Sequence, residues 1–194
     1  MERNSETDKK SQRKISLAKR ADISDEKRRE MSDRISEYLD SNESYKDSLC
    51  VLVYADYNNE VETDRIVLKA LLSGKEVYMP KVKGREMEFY RVFSVSELEP
   101  GSFGIREPLD IEHFRYEEKA GTICLLPLAC FDDNGNRIGY GGGFYDKYLS
   151  RTKVDKKIGL AFACQHTEVI ECDDHDIRLD MVVTEEGIKE FGGE

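Results

Sequence analysis

The chain has 194 residues, of which 39% are hydrophobic, and a formal net charge of −10 at pH 7. That size suits one domain with a single core, and the acidic balance argues against general nucleic-acid binding. No stretch approaches the roughly 18 apolar residues of a membrane span, and the first residues lack the apolar core of a leader, so we expect a soluble cytoplasmic protein.

The cysteines predict a reducing compartment. They are odd in number, form no C-x-x-C pair, and three of them lie in apolar runs where a thiol packs as a small hydrophobe. A zinc site and a disulfide framework are therefore both disfavoured. The five residues are Cys50, Cys124, Cys130, Cys164 and Cys172.

Residues 1–8 are expected to be a disordered tail, and residues 9–194 one domain that is monomeric. The segment from Lys9 to Arg20 has six basic residues and no acids, and its pattern favours a helix. Lys9 and Arg13 are four residues apart, so they share a helical face and could converge on one phosphate group. A solvated basic face is the alternative that the spacing leaves open.

The elements that follow alternate between helices and strands. Ser24 is placed to cap a second helix that runs to about Asp40. The apolar run from Leu49 to Tyr54 predicts a strand buried on both faces of a sheet. A polar loop then leads to a helix capped by Thr63 and stopped at Gly74.

Further strands are predicted at 76–81, closed by Pro80, and at 87–93, 158–163 and 180–184. Together with the helices they predict an α/β fold: a mostly parallel sheet with helices on both faces, a three-layer arrangement of the Rossmann kind. Ligands of such sheets bind beyond the carboxyl ends of the strands, where the polar loop after Tyr54 lies.

A glycine-rich loop is the most informative stretch of the sequence. The buried strand 122–126, ended by Pro127, is followed by a loop with glycine at four of the five positions 139–143, and then by a helix from Phe144 to Leu149. Such a loop lets an anion approach the backbone, and Arg137 and Asp146 could add a phosphate fork and a Mg²⁺ ligand. A flexible hinge beside a surface arginine is the alternative reading.

Two common nucleotide motifs are excluded. No G-x-x-x-x-G-K-[S/T] occurs in the chain, and Phe144 stands where the dinucleotide fingerprint beginning at Gly139 needs its last glycine. A cluster of acids near Asp176 is either solvated or part of a metal site. The three histidines lack a partner at metal or triad spacing, so a Ser-His-Asp or Cys-His mechanism has little support.

Residues 127–149 resemble the signature of the 5-formyltetrahydrofolate cyclo-ligases, also called 5,10-methenyltetrahydrofolate synthetases. In that family a P-x-x-x-F-D turn precedes a G-x-R-x-G-x-G-x-G-x-Y-D loop, and the chain reads P-L-A-C-F-D-D-N-G-N-R-I-G-Y-G-G-G-F-Y-D. The resemblance implies a ligase that converts 5-formyltetrahydrofolate and MgATP to 5,10-methenyltetrahydrofolate, ADP and phosphate through an iminium phosphate.

The resemblance also implies roles for individual residues. Arg137 and Asp146 are expected to be catalytic, and Asp146 and Asp176 to hold Mg²⁺. Gln12 stands where the family's basic N-terminal motif has leucine, and Phe144 where many members have tyrosine. The ATP site would comprise Lys9, Arg13, Arg137, Ile138, Gly139, Tyr140, Gly141, Gly142, Gly143, Phe144 and Tyr145, and the folate site Tyr57, Glu62, Tyr140, Gly141, Gly142, Gly143 and Phe144.

Two other functions remain open from the residues. A sugar-phosphate isomerase-like enzyme could use the same loop without ATP, because similar α/β scaffolds support several chemistries. A non-catalytic paralogue could keep the pocket as a folate- or nucleotide-binding module.

Overall fold

The computed structural model of the protein describes residues 8–173 and 175–192. The predicted tail therefore lies outside the described residues except for Asp8, which precedes the first helix. The helices are α1 (Lys9–Ala21), α2 (Asp25–Ser41), α3 (Glu43–Asp47), α4 (Asp64–Leu72) and α5 (Phe144–Leu149). The strands are β1 (Cys50–Leu52), β2 (Glu76–Lys83), β3 (Glu86–Val92), β4 (Glu99–Pro100), β5 (Arg106–Glu107), β6 (Thr122–Pro127), β7 (Cys130–Phe131), β8 (Arg137–Ile138), β9 (Lys156–Leu160), β10 (Met181–Thr184) and β11 (Gly187–Glu190).

Seven strands form the central sheet in the order β11-β10-β9-β6-β1-β2-β3. The five inner strands are parallel, and β3 and β11 pair antiparallel at the two edges. In β1, Val51 pairs with Val77 on one side and Ile123 on the other. The predicted mostly parallel α/β sheet is confirmed.

Each face of the sheet has its own hydrophobic core. Val51 packs with Ile35 of α2 and Ile66 of α4 on one face. Its neighbour Leu52 belongs to the core on the opposite face, which includes Tyr148 of α5. Because successive strand residues point to opposite faces, a strand buried on both sides must be apolar at every position. This requirement explains the continuous apolar run in the sequence that contains β1.

Two predicted helix starts differ in how they are capped. The Ser24 hydroxyl accepts a hydrogen bond from the Lys27 amide at 3.3 Å, as its N-cap position predicts. The cap predicted at Thr63 is wrong in detail, although α4 does begin at Asp64. The Thr63 hydroxyl donates instead to the Tyr54 carbonyl at 2.9 Å, so it ties the loop after β1 closed.

The prediction that Pro80 closes a strand is wrong, because β2 continues through it to Lys83. Pairing between β1 and β2 ends at Tyr78, and Pro80 pairs with Phe89 of β3 on its other side. A proline is tolerated where the strand has a neighbour on one side, since its missing N–H then breaks no bond to a second strand.

The segment between β6 and α5 is a short hairpin rather than a plain loop. Strands β7 and β8 pair with each other, and the turn that joins them closes around the fully buried carboxylate of Asp132. That carboxylate accepts hydrogen bonds from the amides of Asn134 and Asn136 at 2.9 Å, and from the Ile170 amide at 3.0 Å. Asp132 thus joins the hairpin to the chain segment that leads into the acidic cluster.

Among the described residues, no helix is both long and apolar enough to cross a bilayer. All five cysteines are free thiols, in agreement with the predicted reduced state. Burial raises the pKa of Cys50 to about 11 and that of Cys124 to about 12, so neither thiol is ionised at neutral pH.

Candidate active site

A cavity of about 450 Å³ lies between α1, the β7–β8 hairpin, α5 and the acidic segment. The hairpin and its glycine loop follow the carboxyl end of β6, and the acidic segment follows β9. The cavity therefore belongs to the edge of the sheet where open α/β proteins bind ligands. Its lining residues are Lys9, Arg13, Arg137, Ile138, Gly139, Gly141, Gly143, Asp146, Lys147, Ser150, Asp173, His175, Asp176 and Ile177.

The loop geometry requires glycine at specific positions. Gly141 has φ 101° and Gly143 has φ 64°, a region that other residues rarely adopt. A Cβ on Gly142 would lie 2.7 Å from the Phe144 ring, so that ring packs directly against the backbone of the loop. The following helix α5 has only six residues. A helix this short adds little dipole, so side chains must provide most of the charge for an anion.

Oppositely charged side chains pair across the cavity. Arg137 donates to Asp146 at 2.7 Å, and its side chain is only 3% exposed. Lys9 lies 2.6 Å from Asp173 and 2.5 Å from Asp176. Burial acts to raise the pKa of Asp176, but the hydrogen bonds from Lys9 and from the Asp173 amide outweigh it and leave that pKa lowered. We call these five residues the ionic end of the site.

Two buried donors at the site have no partner among the described residues. They are Nε of Arg137 and the hydroxyl of Tyr145. A buried polar group without a hydrogen bond costs about 1–3 kcal/mol. Arg137 lines the cavity, so its unpaired Nε is a place for a ligand oxygen, whereas Tyr145 does not line the cavity. Arg13 differs, because its Nε already donates to the Gly139 carbonyl at 2.7 Å and so holds the glycine loop against α1.

The carboxylates suit a divalent cation with hard-ligand preferences. Asp146 accepts the amide of Ile177 at 3.1 Å, which places it beside Asp176 in the cavity wall. Ligand atoms of Asp173, His175 and Asp176 all lie within 4.8 Å of one another. Mg²⁺ is commonly bound through one or two carboxylates together with phosphate oxygens, and Asp146 and Asp176 both line the cavity. Of these two predicted metal ligands, Asp176 belongs to the close group of ligand atoms and Asp146 does not.

A second group of residues lies where the glycine loop meets the loop after β1. Glu60 is 8% exposed and accepts the Tyr57 amide at 2.9 Å, and the nearby Tyr140 hydroxyl acts to lower the pKa of Glu60. Burial raises the pKa of Glu60, whereas those two donors and the charge of Arg20 act against the rise. We call Tyr57, Glu60 and Tyr140 the tyrosine wall.

Most of the predicted ATP-site residues line the cavity, and the rest lie nearby. Tyr140, Gly142, Phe144 and Tyr145 belong to the same loop and helix without lining the cavity. Glu62 is turned elsewhere: its carboxylate lies 3.4 Å from Arg28 Nε, and its amide donates to Ser32. The residues that do line it are Lys9, Arg13, Arg137, Ile138, Gly139, Gly141, Gly143, Asp146 and Asp176.

The sequence reasoning missed several residues of the site. Lys147 and Asp173 line the cavity, and each lies within three residues of a predicted member, so nearness in sequence was the available signal. Glu60 and Arg20 were missed because no periodic pattern marks an irregular loop, and because Arg20 contacts a residue 120 positions away.

A parallel α/β sheet with a glycine-lined, charge-rich cavity beyond its strand ends defines an enzyme of the α/β class that binds small molecules. A family model described as the 5-formyltetrahydrofolate cyclo-ligase family matches residues 5–185. The chain belongs to this family, and the resemblance inferred from residues 127–149 is confirmed.

Individual relatives agree with this assignment. The 5-formyltetrahydrofolate cyclo-ligase of Escherichia coli is 31% identical over 147 residues, which cover 73% of this chain and 80% of that protein. The Mus musculus enzyme of the same name is 28% identical over 176 residues, or 84% of this chain and 87% of its own. The NMR structure of Aquifex aeolicus 5,10-methenyltetrahydrofolate synthetase is 35% identical and superposes with a TM-score of 0.84, covering 96% of this chain and 94% of that one.

Proposed function

We propose that the protein catalyses the ATP- and Mg²⁺-dependent cyclisation of 5-formyltetrahydrofolate to 5,10-methenyltetrahydrofolate, with release of ADP and phosphate. The observation that supports this most strongly is the convergence of Lys9, Arg13, Arg137 and Asp146 on one glycine-lined cavity in a member of the family. In the proposed reaction the formyl oxygen attacks the γ-phosphorus and ADP leaves. N10 then closes the ring on the N5-iminium phosphate as inorganic phosphate leaves.

The ionic end is suited to hold the phosphates. Phosphoryl transfer depends mainly on positioning and on neutralising charge. Lys9 and Arg137 now pair with Asp176 and Asp146, so a bound triphosphate would draw the cations toward phosphate oxygens and leave the carboxylates for the metal. The unpaired Nε of Arg137 offers one further donor in a largely buried position. Bound Mg²⁺ would supply Lewis-acid stabilisation of phosphate charge.

The tyrosine wall is suited to hold the pterin. A reduced pterin presents ring N–H and amino donors, and the buried carboxylate of Glu60 is an acceptor at the junction of the two loops. Tyr57 is 39% exposed and can stack on a flat ring. We therefore assign the acidic folate contact to Glu60 in preference to Glu62, whose carboxylate is engaged by Arg28.

The proposed function is tested by mixing the purified protein with 5-formyltetrahydrofolate, ATP and Mg²⁺ and following the absorbance of the methenyl product. Product should form only when all components are present, and a chelator of divalent cations should stop it. Ligand-induced thermal stabilisation without product would indicate a binding module instead. Turnover of a sugar phosphate in the absence of ATP would indicate the isomerase-like alternative.

A further inference from the structure

Arg20 is a buried cation in the last turn of α1, and it contacts two separate loops. Its residue exposure is 4%. Nε donates to Asn59 Oδ1 at 3.0 Å, and NH1 donates to the Tyr140 hydroxyl at 2.5 Å. A guanidinium is costly to bury unless its donors are paired, so these contacts account for its position. The planar fork lets one side chain bond two segments that are about 80 residues apart in the chain.

Both segments have backbones that need an external anchor. Asn59 lies in a tight turn where the Glu60 amide donates to the Tyr57 carbonyl at 3.2 Å, and Asn58 adopts a left-handed φ of 53°. Tyr140 lies between two glycines, one of which has φ 101°. Glycine increases the number of backbone states available to a loop. A fixed contact from α1 therefore limits where each loop can place its side chains.

Arg20 also influences Glu60 through Tyr140. Its NH1 donates to the Tyr140 oxygen, and the Tyr140 hydroxyl in turn acts to lower the pKa of Glu60. The two ends of the Tyr140 side chain have different surroundings. The residue is 45% exposed, yet its hydroxyl is buried, and this burial raises the pKa of the hydroxyl. The guanidinium carbon also lies 5.6 Å from the centre of the Tyr140 ring. Part of the side chain thus stays exposed while its hydroxyl is held by Arg20.

We propose that Arg20 is a positioning residue for the folate: it holds Tyr140 and the turn 57–60 at a fixed separation, so that Glu60 and the Tyr140 ring together receive the pterin. This inference rests on the proposed function. Arg20 acts through Tyr140 and Asn59 and touches neither substrate. It links the nucleotide loop to the folate loop, so the two substrates are bound by segments joined through one side chain.

The charges around Glu60 give a readout that a merely structural role would not affect. Burial raises the pKa of Glu60, and Asp56 acts in the same direction. The Tyr140 hydroxyl, the Tyr57 amide and Arg20 oppose the rise, and the phenols of Tyr54 and Tyr145 face the same carboxylate as neutral groups. Removing the guanidinium leaves the acid more readily protonated. Folate binding should then begin to fail at a higher pH as the solution is acidified. We call this fall in affinity at low pH the acid limb.

The experiment measures calorimetric Kd values for 5-formyltetrahydrofolate and, separately, for MgADP across a pH series. We expect Arg20→Met to weaken folate binding by about 10-fold and to raise the pH below which folate binding is lost. MgADP affinity should stay within about twofold, because Arg13 still holds the glycine loop through the Gly139 carbonyl. Lys19→Met, an exposed neighbour on the same helix, is the matched control and should behave as wild type. Arg20→Lys keeps the positive charge but not the planar fork of donors. It should therefore return the pH dependence of folate binding closer to wild type than it returns the folate Kd.

Tyr140→Phe tests the same link should Arg20→Met unfold, because it removes only the hydroxyl. Tyr140→Phe should likewise raise the pH below which folate binding is lost. Where Arg20→Met folds, adding it to Tyr140→Phe should weaken folate binding by a smaller factor than Arg20→Met does in the wild type. Folate affinity and pH limb unchanged in Arg20→Met and in Tyr140→Phe would overturn the role of Arg20 while leaving the proposed function intact. A wild-type protein that binds MgADP but no 5-formyltetrahydrofolate would overturn both.

Discussion

The ionic end and the tyrosine wall hold their charged groups in different ways. At the ionic end, side chains of opposite charge pair with each other at the cavity wall, and the carboxylates of Asp146 and Asp176 remain 21% and 18% exposed. At the tyrosine wall, the Glu60 carboxylate is almost enclosed and accepts the Tyr57 amide, while the Tyr140 hydroxyl and Arg20 act to lower its pKa. The first arrangement can exchange partners when a charged ligand arrives, and the second keeps one shape.

That difference follows from the ligands proposed for each end. A triphosphate with its metal brings several charges, and ions that are already paired can exchange partners when those charges arrive. The reduced pterin is a neutral ring system whose recognition depends on shape and on hydrogen-bond direction. Substitutions at the ionic end should therefore affect turnover and nucleotide binding, and those at the tyrosine wall should affect folate binding.

The largest effect is expected for Arg137→Ala. It removes a buried cation and leaves the Asp146 carboxylate without its partner, so we predict a loss in kcat of about 10²–10³-fold. Steady-state assay of methenyl formation measures this, with circular dichroism to verify the fold. Arg85→Ala, in the exposed turn between β2 and β3, is the control. Near wild-type turnover in Arg137→Ala would remove the central role given to this residue.

Glu60→Gln should have the next largest effect, and it separates the two glutamates of the loop. We predict that it weakens 5-formyltetrahydrofolate binding by about 10–100-fold, the range for losing a charge-assisted hydrogen bond. Glu62→Gln should weaken it far less, because that carboxylate faces Arg28. Calorimetric titration of both variants decides between them. A larger loss for Glu62→Gln would favour the prediction made from sequence over the placement in the structure.

Lys9→Met should have a smaller effect, limited to the nucleotide. Lys9 is partly exposed, so its contact with phosphate is screened by solvent, and we predict about 5–10-fold weaker MgATP binding. Lys10→Met changes the adjacent, exposed lysine and should bind MgATP as wild type does. Equal losses in the two variants would mean that the helix contributes a diffuse positive field rather than a specific contact.

The smallest effect is on stability, and its sign is set by Glu60. Because burial raises the pKa of Glu60 in the folded protein, the folded state favours its proton, and stability falls as the pH rises through that folded pKa. Glu60→Gln has no carboxylate to ionise and so does not lose stability in this way. Its urea midpoint should exceed that of wild type at pH 7.5, and the gap should narrow as the pH approaches 4.5, the ordinary value for glutamate. A difference in urea midpoint that stays constant with pH would contradict the raised pKa of Glu60 in the folded protein.

Local patterns predicted which charged residues lie around the cavity at the ionic end, with the exception of Asp173 and Lys147. The helical period places Lys9 and Arg13 on one face, and both line the cavity. Arg137, the glycines and Asp146 lie within ten residues, so the hairpin and the start of α5 bring them together with little help from the rest of the fold. The parallel sheet was equally predictable, since β1 at its centre is apolar and buried at every position.

The tyrosine wall was not predictable in the same way. Glu60 and Glu62 are two residues apart in an irregular segment, where no period states which side chain turns inward. Arg20 is one of six basic residues in its helix, and only the distant Tyr140 and Asn59 distinguish it from the others. Strand β11 was missed for a related reason, since an exposed edge strand of mixed polarity has no apolar pattern.

The buried carboxylate of Asp132 has a consequence for how the site can be monitored. It binds amide protons from Asn134 and Asn136 in the hairpin and from Ile170 in the segment that leads to the acidic cluster. These amides should therefore exchange with deuterium as one cooperative unit, at a rate set by a single opening event. Exchange measured at these three positions would report whether the two walls of the cavity separate together, before any substrate is added.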